Sequence, residues 1–269
     1  MSDPLPEHSR PEFPWRQRRV VILTAGGANP QILINALAHQ FPDIAVIRER
    51  PESKWTILKR RARRLGWIEA MGQIATMVVS RLGKKFATRR ADEIIEEYGL
   101  STKIDPAIPV HDVLSVNDPA CLAAIGKLQP AVVVVLSTRL LSGETLARIP
   151  CPVINFHAGV NPGYRGQMGG YWALVNGDPE NFGATVHLVD TGVDTGATLH
   201  VQKVTPSRSD TMLTYPLLLT AASTGIAIRA VDDVLAGRMR PYAPEGPSKM
   251  HYNPAVWTWL RHGLTKRIW

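Results

Sequence analysis

The chain has 269 residues, of which 45% are hydrophobic and 20% are charged. This composition is ordinary for a globular protein and excludes disorder over the whole length. The net charge of +8 favours an anionic partner such as a nucleotide, a nucleic acid or an acidic membrane surface. Cys121 and Cys151 are too few and too isolated for a disulfide framework or a zinc site, so we expect a cytoplasmic location.

The first part of the chain predicts one β-turn-α unit followed by a helical insertion. Residues 1–16 are rich in proline and charge and lack an apolar core, so we expect a loose tail there. The apolar run Val20–Leu23 predicts a buried strand, and Gly26-Gly27 with Pro30 predicts a tight turn and the start of a helix. Residues 51–98 then interrupt this pattern with helical material between basic flanks.

Strands and helices alternate again further along the chain. We expect a strand at Val110, a helix over 119–128, a valine-rich strand over 131–136, a helix capped by Ser142 and a strand over 153–156. This alternation predicts an α/β fold with a mostly parallel, Rossmann-like sheet and helices on both faces.

In the last third of the chain, strands and helices no longer alternate regularly. We expect a Gly- and Pro-rich loop over 157–170, a short helix over 170–175, strands over 184–189 and 197–204, one long helix over 209–236, and a basic aromatic tail. Residues 17–206 are therefore predicted to form the main domain, and residues 207–269 a short C-terminal helical extension.

Three polar side chains are candidates for chemistry. Asn155 and His157 flank Phe156 at the carboxyl end of a strand, so the alternation of a strand directs both to the same side. Asp194 lies in the turn DTGVDTG between two strands, which can return a carboxylate to the same crevice. An amide, an imidazole and a carboxylate suit acyl transfer to an amine. The amide and the protonated imidazole can each donate a hydrogen bond to the oxyanion that develops. The carboxylate can orient the imidazole and help move protons.

The order of motifs around these residues resembles the catalytic domain of folate-dependent formyltransferases. The shared pattern is Asn155-x-His157, the loop PGYRG at 162–166, the pair Trp172-Ala173 and the turn from Asp190 to Gly196. The resemblance covers residues 18–205 and is weak between 50 and 100. It implies that Asn155, His157 and Asp194 are catalytic and that 10-formyltetrahydrofolate is the formyl donor. The chain departs from many relatives at Gln167–Gly170, where a proline is common.

The resemblance also implies where the two substrates bind. The folate would lie between two segments, namely the one after the valine-rich strand and the turn DTGVDTG at 190–196, which we call the Gly-bracketed turn. Its expected contacts are Leu136, Ser137, Leu140, Leu141, Val189, Asp190 and Gly192. The acceptor would contact Gly27, Asn29, Tyr164, Arg165 and Gln167. Two roles stay open, since the Gly27 loop is either a phosphate cradle or a tight turn, and Arg165 either anchors its loop or contacts an anion.

The other titratable residues of this region are expected to be structural. His187 lies in an alternating strand and is interpreted as a packed or surface histidine. His157, His187, Asp190 and Asp194 have spacings that match no familiar metal motif, so no metal is expected.

The acceptor is expected to be a small amine, most simply an amino sugar linked to a nucleotide or a lipid. About 60 residues follow the catalytic region, too few for the usual tRNA-binding module, so nucleic acid is disfavoured as a partner. Glycinamide ribonucleotide and aminoacyl-tRNA are the alternative acceptors. A catalytically silent basic binding protein is the alternative from another class, and an NAD-type enzyme is discounted because TAGGANP lacks the G-x-G-x-x-G spacing.

The insertion has two interpretations. Between basic flanks, residues 54–90 carry an apolar stripe at helical spacing, formed by Trp67, Ile68, Met71, Ile74, Ala75, Val78 and Leu82. The favoured interpretation packs this stripe on the sheet or on a second subunit, which allows a homo-oligomer. The alternative places it on an anionic membrane surface as a peripheral contact.

Overall fold

A computed structural model describes residues 13–269, and its centre is a seven-stranded sheet. The strand order is β3-β2-β1-β4-β5-β7-β8. The first five strands of this order are parallel, β7 runs antiparallel to β5, and β8 runs antiparallel to β7. The strands are β1 Val20–Thr24, β2 Ile44–Glu49, β3 Val110–Val113, β4 Val132–Leu136, β5 Val153–His157, β7 Gly183–Leu188 and β8 Thr198–Lys203.

Ten α-helices and a small second sheet surround this centre in the described residues. The helices are α1 Ala28–Gln40, α2 Lys54–Leu65, α3 Trp67–Val79, α4 Lys84–Glu97, α5 Pro119–Leu128, α6 Gly143–Ala147, α7 Gly169–Val175, α8 Tyr215–Ala222, α9 Thr224–Leu235 and α10 Val256–Lys266. The second sheet pairs β6 Arg165–Gly166 with β9 Met250–His251. Across residues 13–269, no helix has the length and apolar content needed to cross a bilayer.

Both faces of the large sheet are covered, which confirms the predicted mostly parallel α/β class. Val20 and Ile22 of β1 pack with α1 and α9 on one face. Val21 and Leu23 pack with α5 on the other face. Because successive side chains of a strand point to opposite faces, a strand covered on both faces is apolar throughout. Every residue of β1 and β4 is accordingly buried.

The predicted N-terminal tail lies mostly outside the described residues. Its last residues are not loose, because Pro14–Gln17 forms a 3-10 helix. There Trp15 and Arg16 both donate to Asp232 of α9, at 3.2 and 2.7 Å. This contact fastens the start of the chain to the helix layer beside β1.

The single long helix predicted over 209–236 is wrong. Pro216 cannot lie inside a helix without removing a hydrogen bond, and it stands instead in the first turn of α8. A second break occurs at Ser223, between α8 and α9. There Thr220 and Thr224 direct their hydroxyls to backbone carbonyls, which competes with continuous helical bonding.

The expectation that the apolar stripe of the insertion packs on the sheet is also wrong. Trp67, Ile68, Met71, Val78 and Leu82 are exposed. The opposite side of α3 makes the contacts, since Thr76 donates to the carbonyl of Pro254 before α10. The insertion is held further by an ion pair between Arg90 of α4 and the buried Asp210, at 2.8 Å.

A buried carboxylate supports the loop that follows β4. Glu49, the last residue of β2, is 2% exposed and accepts the backbone N–H groups of Val116 and Arg139, at 3.1 and 2.6 Å. It also pairs with the Arg139 guanidinium at 3.3 Å. Because a buried carboxylate is stable only when paired and hydrogen-bonded, these bonds fix the loop after β4 to β2.

We predict that Glu49→Ala lowers the free energy of unfolding by about 3 kcal/mol, because it leaves the N–H groups of Val116 and Arg139 without an acceptor and removes a carboxylate partner of the Arg139 guanidinium. Asp43→Ala is the matched control, since it removes the half-exposed Arg19–Asp43 pair and should cost about 1 kcal/mol or less. Urea unfolding of both variants measures the difference. Equal losses would contradict the anchoring role of Glu49.

Candidate active site

A cavity of about 480 Å³ opens at the carboxyl ends of β4 and β5. This is the edge at which open α/β sheets collect their ligands. Four further segments line it, namely the loop after β4, the loop 166–170, the Gly-bracketed turn after β7 and the start of α8. The cavity is therefore lined by several segments that are spread over residues 135–219.

Asn155, His157 and Asp194 meet in this cavity. The Asn155 amide nitrogen Nδ2 lies 3.2 Å from Oδ1 of Asp194, and Nδ1 of His157 lies 3.5 Å from Oδ2 of the same carboxylate. The backbone N–H of Gly166 donates to that Oδ2 at 2.9 Å. The structure thus brings together the three side chains that the sequence singled out.

Backbone geometry explains how the carboxylate returns to β5. Asp194 has a backbone φ of 51°, in the left-handed region that residues other than glycine rarely adopt. Ser137 and Met168, which also line the cavity, have φ values of 57° and 58°. Strained residues concentrate at sites where the surrounding structure enforces them. Three of them around one cavity mark this region as the functional one.

The ring of His157 has a defined orientation. Its Nε2 lies 2.8 Å from the carbonyl oxygen of Tyr164, which can only accept, so Nε2 carries a proton and donates it. The other nitrogen, Nδ1, consequently faces Asp194 and the cavity. Gly159 makes this arrangement possible, because a Cβ at that position would collide with both the ring and the Tyr164 carbonyl.

His187 also belongs to the site, which corrects its interpretation as a merely structural residue. It pairs directly with Asn155 in the β5–β7 ladder. Its Nδ1 donates to the carbonyl of Leu188 at 2.7 Å, so its neutral Nε2 accepts from the Asn155 amide at 3.1 Å. That bond orients the amide. The same Nε2 lies 3.4 Å from Oδ1 of Asp194.

The Asp194 carboxylate is held in its charged form. Burial by itself would raise the pKa, but the positive field of His157 and the hydrogen bond from the Gly166 N–H outweigh burial and lower the pKa to about 2. The side chain is 12% exposed. A fixed negative charge therefore faces the two histidine rings at any pH near neutrality.

Most of the residues predicted to bind the folate line the cavity. Ser137, Leu140, Leu141, Val189, Asp190 and Gly192 are all in its wall. Asp190 shapes the turn, since its Oδ1 accepts from the Gly192 N–H and the Thr195 hydroxyl. The prediction that Leu136 contacts the folate is corrected, because strand alternation directs this side chain into the core beside α1 and α9, where it is 1% exposed.

The residues predicted to contact the acceptor are divided. Gln167 lines the cavity. Tyr164 and Arg165 lie outside its lining and act within the loop, the first by donating to Asp178 and the second by donating to the carbonyl of Val193.

Gly27 borders a different cavity of about 340 Å³ beside the start of α1, and Asn29 lines neither cavity. The Gly27 loop is thus separate from the site around Asp194.

Residues of α7 and α8 complete the cavity and were not anticipated. Tyr171, Tyr215, Pro216 and Leu219 belong to its lining. Burial raises the pKa of Tyr215 to about 12, so its phenol is neutral at physiological pH. The apolar periodicity of the region marks these residues only as helix core, and nothing in their spacing indicates that one side of α8 faces a cavity.

Comparison with known proteins adds the family. The model of the family described as "Formyl transferase" matches residues 75–231, more than half of the chain. The chain belongs to the formyltransferase family. Membership of this family agrees with the motif order and the site geometry described above.

Curated relatives of this formyltransferase include two enzymes named methionyl-tRNA formyltransferase. The one from Chlorobium chlorochromatii is 32% identical over 144 residues, which are 49% of this chain and 46% of the relative. The one from Trichlorobacter lovleyi is 38% identical over 104 residues, which are 38% of this chain and 32% of the relative. The matched region thus spans less than half the length of either relative.

Solved structures share the fold of the formyltransferase at low identity. A sugar N-formyltransferase from a Shewanella species superposes with a TM-score of 0.55 at 15% identity, covering 87% of this chain and 76% of that one. Glycinamide ribonucleotide transformylase 1 from Symbiobacterium toebii has a TM-score of 0.55 at 21% identity, covering 84% and 95%. Neither similarity distinguishes among acceptors.

We predict that the charge of Asp194 makes stability depend on acidity. Its pKa is lower in the folded protein than the ordinary value of 3.8, so the carboxylate stabilises the fold above about pH 4 and this contribution is lost as the pH falls towards 2. The contribution amounts to about 2 kcal/mol. Urea unfolding of wild type and Asp194→Asn at a series of pH values measures it. Parallel pH profiles for the two proteins would contradict the assignment.

Proposed function

We propose that this formyltransferase moves a formyl group from 10-formyltetrahydrofolate to the primary amine of an amino sugar, using Asn155, His157 and Asp194. The observation that carries the proposal is the meeting of an amide, an imidazole and a charged carboxylate at one cavity. All three groups are required for the chemistry below. Their joint presence argues against a binding protein that has lost catalysis.

The cavity fits the donor in size and in the chemistry of its walls. Its volume of about 480 Å³ lies within the range of small-molecule sites. Val135, Leu140 and Val189 offer apolar contact to a flat ring, while Ser137 and the backbone of the turn offer polar partners. When bound there, the donor supplies the formyl carbon at the edge of the cavity where Asn155 and His157 lie.

The residues act on the charge that develops when the amine attacks. The formyl oxygen becomes negative, and an N–H of Asn155 together with Nδ1–H of a protonated His157 can donate to it. One N–H of Asn155 is directed at Asp194 in the structure, so the oxygen would take over that donor. The bond to His187 keeps the amide in place.

Asp194 has an electrostatic and a proton-transfer role. Its carboxylate lies 3.5 Å from Nδ1 of His157 and stabilises positive charge on that ring. The attacking amine must lose a proton and the departing nitrogen must gain one. A carboxylate with a low pKa, acting through a water molecule, is suited to pass that proton between them without holding it.

The acceptor side of the cavity favours an uncharged polar group. Gln167 and Tyr215 line it, and among the described lining residues Arg139 is the only lysine or arginine. The Arg139 guanidinium is already engaged by the carbonyls of Leu114 and Arg50. No lysine or arginine of the lining is therefore free for a phosphate next to the reacting amine, and amide and phenol groups match the hydroxyls of a sugar.

Glycinamide ribonucleotide is a second candidate acceptor, supported by the cavity beside Gly27. There the Gly-rich turn opens α1, whose first N–H groups are suited to an anion. Three hydrogen bonds weaken this alternative, because they occupy groups that a phosphate would need. The Gly26 N–H is taken by the Thr24 hydroxyl, and Arg48 is paired through two bonds with Asp112.

We predict that Asn155→Ala and His157→Asn each lower kcat about 100- to 1000-fold, because each removes one donor to the developing oxyanion. His200→Asn is the matched control, since His200 of β8 pairs with Asp233 of α9 and is absent from the cavity lining. Turnover is followed through release of the deformylated folate. Full activity in either site variant would contradict the proposed mechanism.

The acceptor is tested with a panel of amines and the formylated folate. We expect turnover with an amino sugar linked to a nucleotide or a lipid, and none with glycinamide ribonucleotide or charged initiator tRNA. Turnover with only glycinamide ribonucleotide or only the tRNA would contradict the proposal of an amino-sugar acceptor. It would leave the proposed formyl-transfer chemistry intact.

We predict that Tyr215→Phe raises the KM for the accepted amine by about 2- to 10-fold and leaves the KM for the folate unchanged, since one neutral hydrogen bond is lost. Tyr98→Phe removes a hydroxyl from a residue that is absent from the cavity lining and serves as the control. An equal change in both KM values would contradict the placement of Tyr215 on the acceptor side.

A further inference from the structure

The positive charge of the chain is concentrated in one segment. Residues 54–90 contain 11 lysines and arginines and one acidic residue, Glu69, a net charge of +10. The rest of the chain contains 20 basic and 22 acidic residues, a net charge of −2. The overall charge of +8 is therefore a property of α2, α3 and the first half of α4.

The same segment exposes large apolar side chains. Ile68, Leu82 and Phe86 are 80%, 86% and 82% exposed. They belong to what we call the exposed apolar face, which consists of Trp67, Ile68, Met71, Val78, Leu82 and Phe86. An exposed cluster of this size on one helical segment is unusual for a surface in contact only with water.

The burial pattern of α3 is the reverse of an ordinary amphipathic helix. Its buried positions include Gly72, Gln73 and Thr76, whereas the exposed apolar face points outward. Gly72 is required at the contact with α10, because a Cβ there would collide with the Trp257 ring. Small and polar residues thus form the packed side, and the outward direction of the apolar side is built into the fold.

Basic residues frame the exposed apolar face at both ends. Arg63 and Arg64 precede its first residue, and Arg81, Lys84 and Lys85 surround Leu82. None of these five side chains forms an ion pair or a hydrogen bond within the described part of the chain. Their charge is available to an external partner.

We propose that this face docks on the surface of an anionic lipid bilayer. Apolar and aromatic side chains would enter the region between headgroups and acyl chains, while the framing lysines and arginines contact acidic headgroups. The Trp257 ring, packed on Gly72 and itself exposed, extends the face on the α10 side. A bilayer alone among the anionic partners offers both negative charge and an apolar interior.

Two other occupants fit less well. A second copy in a two-fold dimer would place the same patch against itself, so a charge of +10 would face another +10 at close range. A nucleic acid would satisfy the charge but would leave Ile68, Leu82 and Phe86 against a polar backbone. The proposal does not depend on which amine accepts the formyl group.

The full chain is tested by flotation with vesicles of phosphatidylcholine alone and of an equal mixture of phosphatidylcholine and phosphatidylglycerol. We expect the protein to float with the anionic vesicles and to remain below with the neutral ones. Binding should weaken as salt is raised, because the headgroup contacts are screened. Failure to float with anionic vesicles, or equal flotation with both kinds, would overturn the proposal.

Two pairs of variants separate the two contributions. The double variant Leu82→Ser with Phe86→Ser should lower binding to anionic vesicles by about tenfold or more, because it removes apolar area that would be buried in the bilayer. The control Leu114→Ser changes an exposed leucine outside this face and should bind as wild type does.

The double variant Arg63→Glu with Arg64→Glu should lower binding to anionic vesicles by at least about fivefold for each arginine replaced, because contacts with acidic headgroups are lost. Lys127→Glu, which changes a lysine outside the segment, is its control. All four proteins should keep wild-type formyl transfer in solution.

Sedimentation velocity of the same proteins tests the competing occupant. We expect wild type and Leu82→Ser with Phe86→Ser to have the same molecular mass. A wild-type dimer that these two substitutions dissociate would assign the face to a second copy and overturn the membrane proposal.

Discussion

The carboxylate of Asp194 is the charge around which the candidate site is organised. It is nearly buried, yet three groups compensate for the lost water, namely the Gly166 N–H, the Asn155 amide and the ring of His157. Each of these partners comes from a different turn of the chain or a different strand position. A carboxylate so placed can only persist as an ion if all of them are held, so the fold and the charge are coupled.

Segments distant in sequence hold these partners. The C-terminal strand β9 pairs with β6 and so fixes Gly166, whose N–H reaches the carboxylate. The hairpin of β7 and β8 places His187 opposite Asn155. Residues after 231, where the match to the family ends, therefore support the site and do not form a separate unit. The insertion meets the same region, since α4 packs on α8 and α8 lines the cavity.

The sheet and the three central side chains were predictable because their signals are local. A buried parallel strand such as β4 is apolar throughout, and alternation along β5 alone places Asn155 and His157 on one side. His187 was misread because its role comes from the register between β5 and β7, which no local pattern encodes. Leu136 was assigned to the folate from the family resemblance, although its position in the alternation of β4 directs it into the core. The outward direction of the apolar stripe of α3 was the less favoured of two interpretations, because such a stripe ordinarily packs inward.

A crystal structure with a stable formyl-folate analogue measures the central geometry most directly. The account predicts the carbonyl oxygen of the analogue at hydrogen-bonding distance, about 3 Å, from both Asn155 Nδ2 and His157 Nδ1. It also predicts Asp194 still bonded to Gly166 and in contact with His157. An analogue bound beside Gly27, or a carboxylate turned away from the histidine rings, would contradict it.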